Sequence, residues 1–467
     1  MNKIAGNGKN TIILGGGLTG LSAGYALTKA GQNVRVYEGD SSVGGLSKTI
    51  VKDGFRFDLG GHRFFTTNKV IENFVGTLMN GELVSVPRKS KIYMRSKFFD
   101  YPLTPLNAIF GLGIPMTLKI MSDYGLGKVK NLINEKVDIS LEDWVVRNFG
   151  RKMFNLYFRE YSEKVWGIEC SRISAEWVEK RIRGLSLSKA VKNAFFKFSG
   201  RDIPTLADRF LYPQLGIGRI SERLQEEIER YNNVLTDTRV ERVDHSENEI
   251  TSITVKNHRY SDIVYGSEFV SSIPLPNLIR LLSPSPPDHI IDVASRLKFR
   301  DLIIVAVMIN RERVTDQSWI YIPEKKIPFG RIHEPTNWSA AMAPTGKTLM
   351  VMEFFSFKYD ETWNKSDEKL SELTVKHLQR LGFINKKEVL GSLVVRAPRA
   401  YPLFEVGYES YCNELYSYLS RFRNLYIAGR AGMFKYYNMD HAIESGLGVA
   451  EKILKSDSYH LSAISPK

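Results

Sequence analysis

Residues 11–20 read Thr-Ile-Ile-Leu-Gly-Gly-Gly-Leu-Thr-Gly, and this stretch decides the fold of the chain. Its first four residues are apolar enough for a buried strand, and residues 21–30 after the glycines have the pattern of a helix. Residues 33–37 form a second apolar strand, which ends at Glu38. A strand, a glycine loop, a helix, a second strand and an acidic residue, in this order, indicate a dinucleotide-binding unit.

The glycines of this loop have separate tasks in such a unit. Gly15 permits the tight turn, Gly17 lets a pyrophosphate approach the backbone, and Gly20 lets the helix pack closely on the strand. The free N–H groups at the start of the helix favour phosphate oxygens. Glu38 can accept hydrogen bonds from an adenosine ribose.

Length and composition predict a soluble globular protein with two or three structural units. The chain has 467 residues, 43% of them apolar and 25% charged. The most lipophilic stretch, residues 101–121, contains prolines and Lys119, so we expect no integral membrane span. Residues 1–10 are polar and contain no apolar signal-peptide core, so we expect a cytoplasmic location.

Cysteine usage and charge narrow the classes of function. Cys170 and Cys412 are the two cysteines, and they form no Cys-x-x-Cys pair, which disfavours a disulfide-built fold, a zinc site and a dithiol-flavin reductase. We predict no metal site, since no group of His, Cys or carboxylate residues has ligand spacing. The net charge of +14 comes from scattered lysines and arginines, which favours a small polyanionic substrate over nucleic acid.

A second glycine motif, Ser42-Val43-Gly44-Gly45, follows the acidic residue closely. Together with the first motif it resembles the FAD-binding fold shared by glutathione reductase and the amine oxidases. In that fold a C-terminal segment returns to cover the cofactor. Residues 424–430 are similar to that returning strand, and residues 441–454 have the pattern of the helix that follows it. We therefore predict that both ends of the chain build one FAD domain.

The predicted fold class is α/β, with an FAD-binding Rossmann-type domain, an inserted helical region and a mixed-sheet substrate domain. Residues 131–198 have a largely helical pattern, whereas residues 234–270, 302–309 and 348–355 have the pattern of strands. The predicted division is 1–80 for the first part of the FAD domain, 81–230 for a mostly helical insertion, 231–275 for FAD-domain strands, 276–400 for the substrate domain, 401–455 for the C-terminal part of the FAD domain, and 456–467 for a flexible tail.

The segments between the two ends resemble the UDP-galactopyranose mutase family, above all its eukaryotic branch. The similar segments follow the family's order along nearly the whole chain: Gly60-Gly61-His62-Arg63-Phe64-Phe65, the segment from Arg88 to Tyr101-Pro102, Lys164-Val165-Trp166 with Trp177 and Arg181, residues 210–218, Phe329-Gly330-Arg331 with Trp338, Tyr401-Pro402, and Gly429-Arg430-Ala431-Gly432 with Tyr436, Asn438, Asp440 and His441.

This resemblance implies the site residues. Arg181 and Arg331 are expected to hold a diphosphate from two sides, since a planar guanidinium makes bidentate, charge-assisted bonds to phosphate. His62 is expected beside the flavin, and these three form the predicted catalytic set. The predicted cofactor-binding residues are Gly15, Gly17, Leu18, Thr19, Gly20, Glu38, Gly45, Leu46, Gly61, His62, Arg88, Val240, Gly429, Arg430, Asn438 and Met439. The predicted substrate-binding residues are Phe65, Tyr101, Trp166, Arg181, Arg331, Trp338, Tyr401, Tyr436 and Asn438.

The resemblance implies a mutase that interconverts the pyranose and furanose forms of a UDP-sugar, UDP-galactose first. In this family reduced FAD supplies its N5 atom as the nucleophile, and the reaction has no net redox change; NADH or NADPH is a candidate reductant. Such an activity belongs to the biosynthesis of cell-surface polysaccharides. The alternative is an FAD-dependent oxidase or dehydrogenase of the protoporphyrinogen oxidase or amine oxidase type, because these share the motifs at both ends of the chain.

Overall fold

The structure is a computed structural model, which describes residues 10–101, 115–116, 118–120, 122–125, 138–176 and 209–464, with side chains described to residue 455. Trp177 and Arg181 of the predicted site lie outside the described residues, as does Pro102.

A five-stranded parallel sheet includes strands from the N-terminal and the C-terminal part of the chain, and the glycine loop follows its central strand. With the helices beside it, this sheet confirms the α/β class. Its strands, from one edge to the other, are Leu425–Ile427, Glu268–Ser271, Asn10–Leu14, Asn33–Tyr37 and Asn233–Leu235. Both faces of the central strand are covered, so its apolar side chains are buried on both sides of the sheet. Ile12 and Ile13 are fully buried.

Three helices pack beside this sheet at close quarters: Leu18–Lys29, Arg219–Glu229 and Met439–Ile464. The first and the last of them meet at small residues. A Cβ atom on Gly446 would lie 2.2 Å from the carbonyl oxygen of Thr19, and one on Gly429 would lie 2.6 Å from the Thr19 hydroxyl. The Thr19 hydroxyl donates a hydrogen bond to the carbonyl of Ala442 (2.9 Å). The N-terminal and C-terminal segments therefore form one packed unit.

A seven-stranded mixed sheet forms the second layer of the molecule. Its strands, in order, are Val389–Pro402, Phe299–Ile309, Thr348–Ser356, Arg331–His333, Trp319–Tyr321, Ser90–Met94 and Lys97–Asp100. Pairing is antiparallel except between Trp319–Tyr321 and Ser90–Met94.

Alternation along the strand Phe299–Ile309 shows how this sheet is covered on both sides. Ile303 and Val305 pack with residues of the helix Asp367–Arg380, whereas Ile304 and Ala306 pack with Phe57 in the segment that leads to Gly60. The second face is the one that turns toward the glycine-rich segment at residues 60–65.

Smaller elements complete the fold. A four-stranded sheet contains Ser261–Tyr265, Ile250–Lys256, Arg239–His245 and Leu282–Ser283, and two-stranded sheets pair Thr49–Lys52 with Phe55–Asp58 and Leu83–Pro87 with Arg209–Pro213. Further α-helices are Lys69–Met79, Leu141–Phe149, Arg151–Met153, Arg159–Trp166, Leu275–Leu281, Asp288–Arg296, Glu361–Asn364, Tyr408–Leu419 and Gly429–Gly432. A π-helical turn, Phe154–Phe158, precedes Arg159–Trp166.

The structure differs from the predicted division in three places. The described part of 81–230 contributes four strands, two of which, Ser90–Met94 and Lys97–Asp100, belong to the seven-stranded sheet. Most strands of 231–275 form the separate four-stranded sheet and not the FAD sheet. The last helix runs to Ile464, through most of the predicted tail at 456–467. Pairing with distant strands and continuation of an established helix explain these differences, because neither is visible in a local pattern.

Glycine at position 446 should be essential for the crossing of the two end helices. Gly446→Ala should lower the free energy of unfolding by about 1–3 kcal/mol, because the added methyl group overpacks against the Thr19 carbonyl. Gly448→Ala in the same helix is the matched control. Its Cβ would meet nothing within 4 Å, so it should be neutral or gain up to about 1 kcal/mol from helix propensity. Urea unfolding measures both, and equal effects would contradict the packing argument.

Candidate active site

The dinucleotide loop has the open and closed positions that a bound pyrophosphate requires. A Cβ on Gly17 would meet nothing within 4 Å, whereas one on Gly20 would lie 2.0 Å from the carbonyl oxygen of Gly15. The second glycine motif packs on this loop, since the Gly44 N–H donates to the carbonyl of Gly16 (2.8 Å). Space therefore exists at Gly17, where the motif predicts phosphate, and close packing exists at Gly20, where it predicts helix contact.

The carboxylate of Glu38 hydrogen-bonds to the backbone of the same loop. One carboxylate oxygen accepts a hydrogen bond from the Gly16 N–H (2.8 Å) and the other accepts from the Asp40 N–H (2.9 Å). Its contact with an adenosine ribose stays a prediction.

Asp58 anchors the chain just before the glycine-rich segment. Its fully buried carboxylate accepts hydrogen bonds from the Thr49 hydroxyl (2.7 Å), the Tyr212 hydroxyl (2.6 Å) and the Ile217 N–H (3.1 Å). Burial raises the pKa of Asp58 to about 6, against the effect of these donors. The backbone then turns at Gly60, whose φ of +117° favours glycine.

A buried carboxylate, Glu353, joins this segment to the predicted diphosphate arginine. The Gly61 N–H donates to its Oε1 atom (3.0 Å), and Nη1 of Arg331 lies 3.2 Å from its Oε2 atom. Arg331 and Glu353 are direct partners on neighbouring antiparallel strands, and Arg331 has Tyr321 as its partner on the other side. Sequence reasoning missed Glu353; the available signal was a single acidic residue inside the apolar run 349–355.

His62 is neutral at physiological pH. Burial first, and then the positive charges of Arg430 and Arg331, together lower the pKa of His62 to about 4. Its Nδ1 atom is buried and has no hydrogen-bond partner among the described residues. The structure thus brings His62 together with Arg331 and Arg430, and their contacts with a ligand stay predictions.

Arg430 lies between two of the predicted tyrosines. The centre of its guanidinium is 4.9 Å from the ring of Tyr401 and 4.7 Å from the ring of Tyr436, and Nη1 donates to the carbonyl of Tyr437 (3.0 Å). Trp166 packs edge-on against both tyrosine rings, at 6.3 and 6.5 Å between centroids. Burial raises the pKa of Tyr401 to about 12, so its hydroxyl remains a donor.

A second arginine and aromatic group adjoins the first. Arg88 lies over the rings of Tyr101 (5.1 Å) and Trp319 (5.9 Å), and Arg63 lies over Trp319 (5.2 Å). The Tyr101 ring contacts Tyr321 at 4.8 Å between centroids, and the Arg331 guanidinium lies 5.8 Å from that ring. Trp319 and Tyr321 were not among the predicted site residues.

Several predicted site residues do not belong to these arginine and aromatic groups. Trp338 is 3% exposed, stacks on His333 with rings 5.0 Å apart, and belongs to an aromatic core. Phe65 and Asn438 are exposed. Val240 and Met439 are buried in the hydrophobic core, while Leu46 packs against it. Their ligand contacts stay predictions, as does that of Arg181 outside the described residues.

The side chains present fit a flavin and a phosphorylated ligand. The buried nitrogen atoms without a hydrogen-bond partner within the described part of the chain include four in this group: His62 Nδ1, Arg88 Nε, Arg331 Nε and Arg430 Nε. Buried polar atoms are nearly always bonded, so these sites are suited to ligand oxygen or nitrogen atoms. Among the described residues, no group of three or more His, Cys, Asp or Glu side chains could hold a metal ion.

FAD binding should depend on the open space at Gly17. Gly17→Val should fold, because its Cβ meets no protein atom within 4 Å, but should lose the flavin, since the side chain fills the pyrophosphate path. Gly391→Val is the control: Gly391 has equally open surroundings on the distant strand Val389–Pro402 and should keep the flavin. The 450-nm absorbance per protein measures this, and a folded Gly17→Val protein with full flavin content would overturn the assignment.

The ion pair of buried Glu353 with Arg331 should stabilise the fold more than an exposed Glu–Arg pair does. Glu353→Gln leaves an acceptor for Gly61 but removes the buried charge beside partly exposed Arg331, so the free energy of unfolding should fall by about 3 kcal/mol. Glu249→Gln breaks an exposed pair with Arg423 and should cost less than about 1 kcal/mol. Denaturant unfolding of both variants tests this, and equal losses would contradict a special role for Glu353.

No helix in the described ranges is both long and apolar enough to cross a bilayer.

Two curated relatives bear on the activity. A Klebsiella pneumoniae protein described as "Probable UDP-galactopyranose mutase" is 25% identical over 185 residues, 37% of this chain and 45% of the relative. Protoporphyrinogen oxidase 2 of Arabidopsis thaliana is 24% identical over 154 residues, 32% of this chain and 30% of the relative. The chain therefore covers less than half the length of these relatives.

Solved structures share the fold over nearly the whole chain. The crystal structure of reduced UDP-galactopyranose mutase aligns with a TM-score of 0.80 at 21% identity, covering 96% of this chain and 94% of the other. Cyclohexylamine oxidase from Brevibacterium oxydans aligns with a TM-score of 0.67 at 15% identity, covering 97% and 100%. These comparisons confirm the resemblance and the fold class that the motifs predict. The sequence profile of flavin containing amine oxidoreductases matches residues 18–454, so the chain belongs to that family, whose cofactor is FAD.

Proposed function

We propose that this chain is a flavin-dependent nucleotide-sugar mutase that interconverts the pyranose and furanose forms of a UDP-sugar, with UDP-galactose as the first candidate. One observation carries the proposal. Arg331, the predicted diphosphate arginine, is tied through Glu353 to the backbone of Gly61, next to His62. A diphosphate at Arg331 and a flavin at residues 60–65 would therefore be held at a fixed distance.

The binding of FAD follows from the two glycine motifs and the returning segment. Gly17 and Gly45 would face the pyrophosphate, Gly61 and His62 the isoalloxazine ring, and Gly429 and Arg430 the covering segment. When bound in its reduced form, FAD supplies the N5 nucleophile for the anomeric carbon, with no net redox change. NADH or NADPH is the proposed reductant, and the cytoplasmic location stays a prediction.

The work of the protein is to hold the diphosphate while it leaves and returns. Arg331 offers a buried nitrogen that has no hydrogen-bond partner among the described residues, and the hydroxyls of Tyr401 and Tyr436 are suited to phosphate oxygens. Arg181 would act from the other side. Fixed donors of this kind stabilise developing negative charge without reorganising.

Charge separates this proposal from an amine oxidase. Glu353 balances one charge of the group Arg88, Arg331 and Arg430, and the positive charge that remains would repel an amine substrate, which is also positive at neutral pH. His62 adds no negative or positive charge because its pKa is about 4. The same cationic group attracts the two negative charges of a nucleoside diphosphate.

A protoporphyrinogen-type oxidase is the second candidate, and one observation favours it. The Arabidopsis thaliana oxidase matches over nearly the same share of the chain as the mutase-like relative. Its activity would need the oxidised flavin and an electron acceptor for each product.

The decisive experiment counts products per reduction of the flavin. The enzyme is reduced once with dithionite, oxygen is excluded, and UDP-galactopyranose is added. A mutase should form many furanose products per flavin, because the flavin ends each cycle reduced. Chromatography measures the product and absorbance measures the redox state.

The variant Arg331→Ala serves as the matched control for the site. It should keep the flavin but lose about 1.5–3 kcal/mol of UDP affinity or transition-state stabilisation, and Arg331→Lys should restore part of it. Turnover by oxidised enzyme alone, with stoichiometric flavin reduction by a porphyrinogen, amine or alcohol, would replace the mutase with the oxidase.

A further inference from the structure

A second cationic cluster lies beside Arg331 on the same face of the seven-stranded sheet. Trp319 and Tyr321 are two residues apart on one strand, so their side chains project from one face, with ring centroids 6.5 Å apart. The Arg331 guanidinium lies over Tyr321, and those of Arg63 and Arg88 lie over Trp319. Guanidinium groups therefore occupy two positions on this face, one over Tyr321 and one over Trp319. These two residues are separated by one residue of the strand.

The two positions differ in how their charge is balanced. Glu353 pairs with Arg331 at 3.2 Å. Arg88 forms no ion pair with any carboxylate in the described ranges, and its buried Nε atom has no hydrogen-bond partner there. A partly buried guanidinium without a counter-charge is costly unless an anion comes to it.

The spacing of the positions fits the two ends of one sugar. Trp319 and Tyr321 are about 7 Å apart along the strand, and Arg88 also lies 5.1 Å from the ring of Tyr101, which contacts Tyr321. With the diphosphate at Arg331, a group bound at Arg88 would therefore lie about one sugar ring away. A pyranose ring spans such a gap between its anomeric oxygen and a substituent at C6. The hydroxymethyl group of galactose would bring no charge to that position, whereas a carboxylate would.

We propose that Arg88, together with Arg63, binds a carboxylate on the sugar, so that the substrate is a nucleoside diphosphate hexuronate. This inference rests on the proposed mutase function and specifies its substrate class. A carboxylate accepts two parallel hydrogen bonds from the planar guanidinium fork. The ring of Trp319 contacts both guanidinium groups and carries no hydrogen-bond acceptor that would compete with a carboxylate for them.

The test measures binding and turnover with four probes: UDP-glucuronate, UDP-galacturonate, UDP-glucose and UDP-galactose. The reduced holoenzyme should bind the uronates at least about tenfold more tightly than the neutral sugars. Arg88→Met should lower the affinity for the uronates at least about tenfold more than the affinity for the neutral sugars, and Arg88→Lys should restore part of that difference. Lys89→Met removes the adjacent charge, which is exposed and pairs with Asp316, and should leave the preference intact.

Three outcomes would overturn the inference. These are a wild-type preference for neutral sugars, an equal loss of affinity for all four probes in Arg88→Met, and a loss or spectral shift of the flavin in Arg88→Met with the sugar preference unchanged. The last outcome assigns Arg88 to the cofactor, as the family resemblance implies.

Failure of the mutase proposal would look different. Binding selectivity is measured without turnover, so a uronate preference that depends on Arg88 but accompanies no isomerisation of any probe would support the carboxylate site and overturn the mutase. Isomerisation of neutral sugars without a uronate preference would support the mutase and overturn the carboxylate site.

Discussion

The buried carboxylate of Glu353 connects the two halves of the site, since it pairs with Arg331 on one side and accepts the Gly61 N–H on the other. An ionised carboxylate away from water is stable only when its partners are in place. The strands Arg331–His333 and Thr348–Ser356 and the segment at residues 60–65 must therefore assemble together. This requirement links the substrate sheet to the segment at residues 60–65.

The close contacts of the chain ends complete the same site from the other direction. Gly429 and Gly446 let the returning segment approach Thr19 within van der Waals distance. Arg430 follows Gly429 directly, so that approach also places its guanidinium between Tyr401 and Tyr436. Backbone packing in the FAD domain thus positions side chains that face the substrate sheet.

The electrostatics of the site favour anions. Burial and neighbouring arginines hold the pKa of His62 at about 4 and that of His333 at about 3, so both rings are neutral and add no repulsion among the cations. Arg88, Arg331 and Arg430 retain buried nitrogen atoms without protein partners in the described ranges. A fold shared with amine oxidases therefore presents a surface whose charge suits phosphates and carboxylates, and the side chains rather than the fold distinguish these functions.

The sequence by itself determined the FAD unit, because its strand, glycine loop, helix and acidic residue interact within a short stretch of chain and each leaves a local pattern. The apolar runs of the substrate sheet and the individual residues Arg331 and Tyr401 were also visible in motifs. The tertiary structure alone decided the partners. Glu353 meets Gly61 across 292 residues, and Ser90–Met94 joins the sheet from a range predicted to be mostly helical. Periodicity reports which residues are buried, but it carries no information about which distant strand lies beside them, so the arrangement of charges around Arg331 could be learned only from the fold.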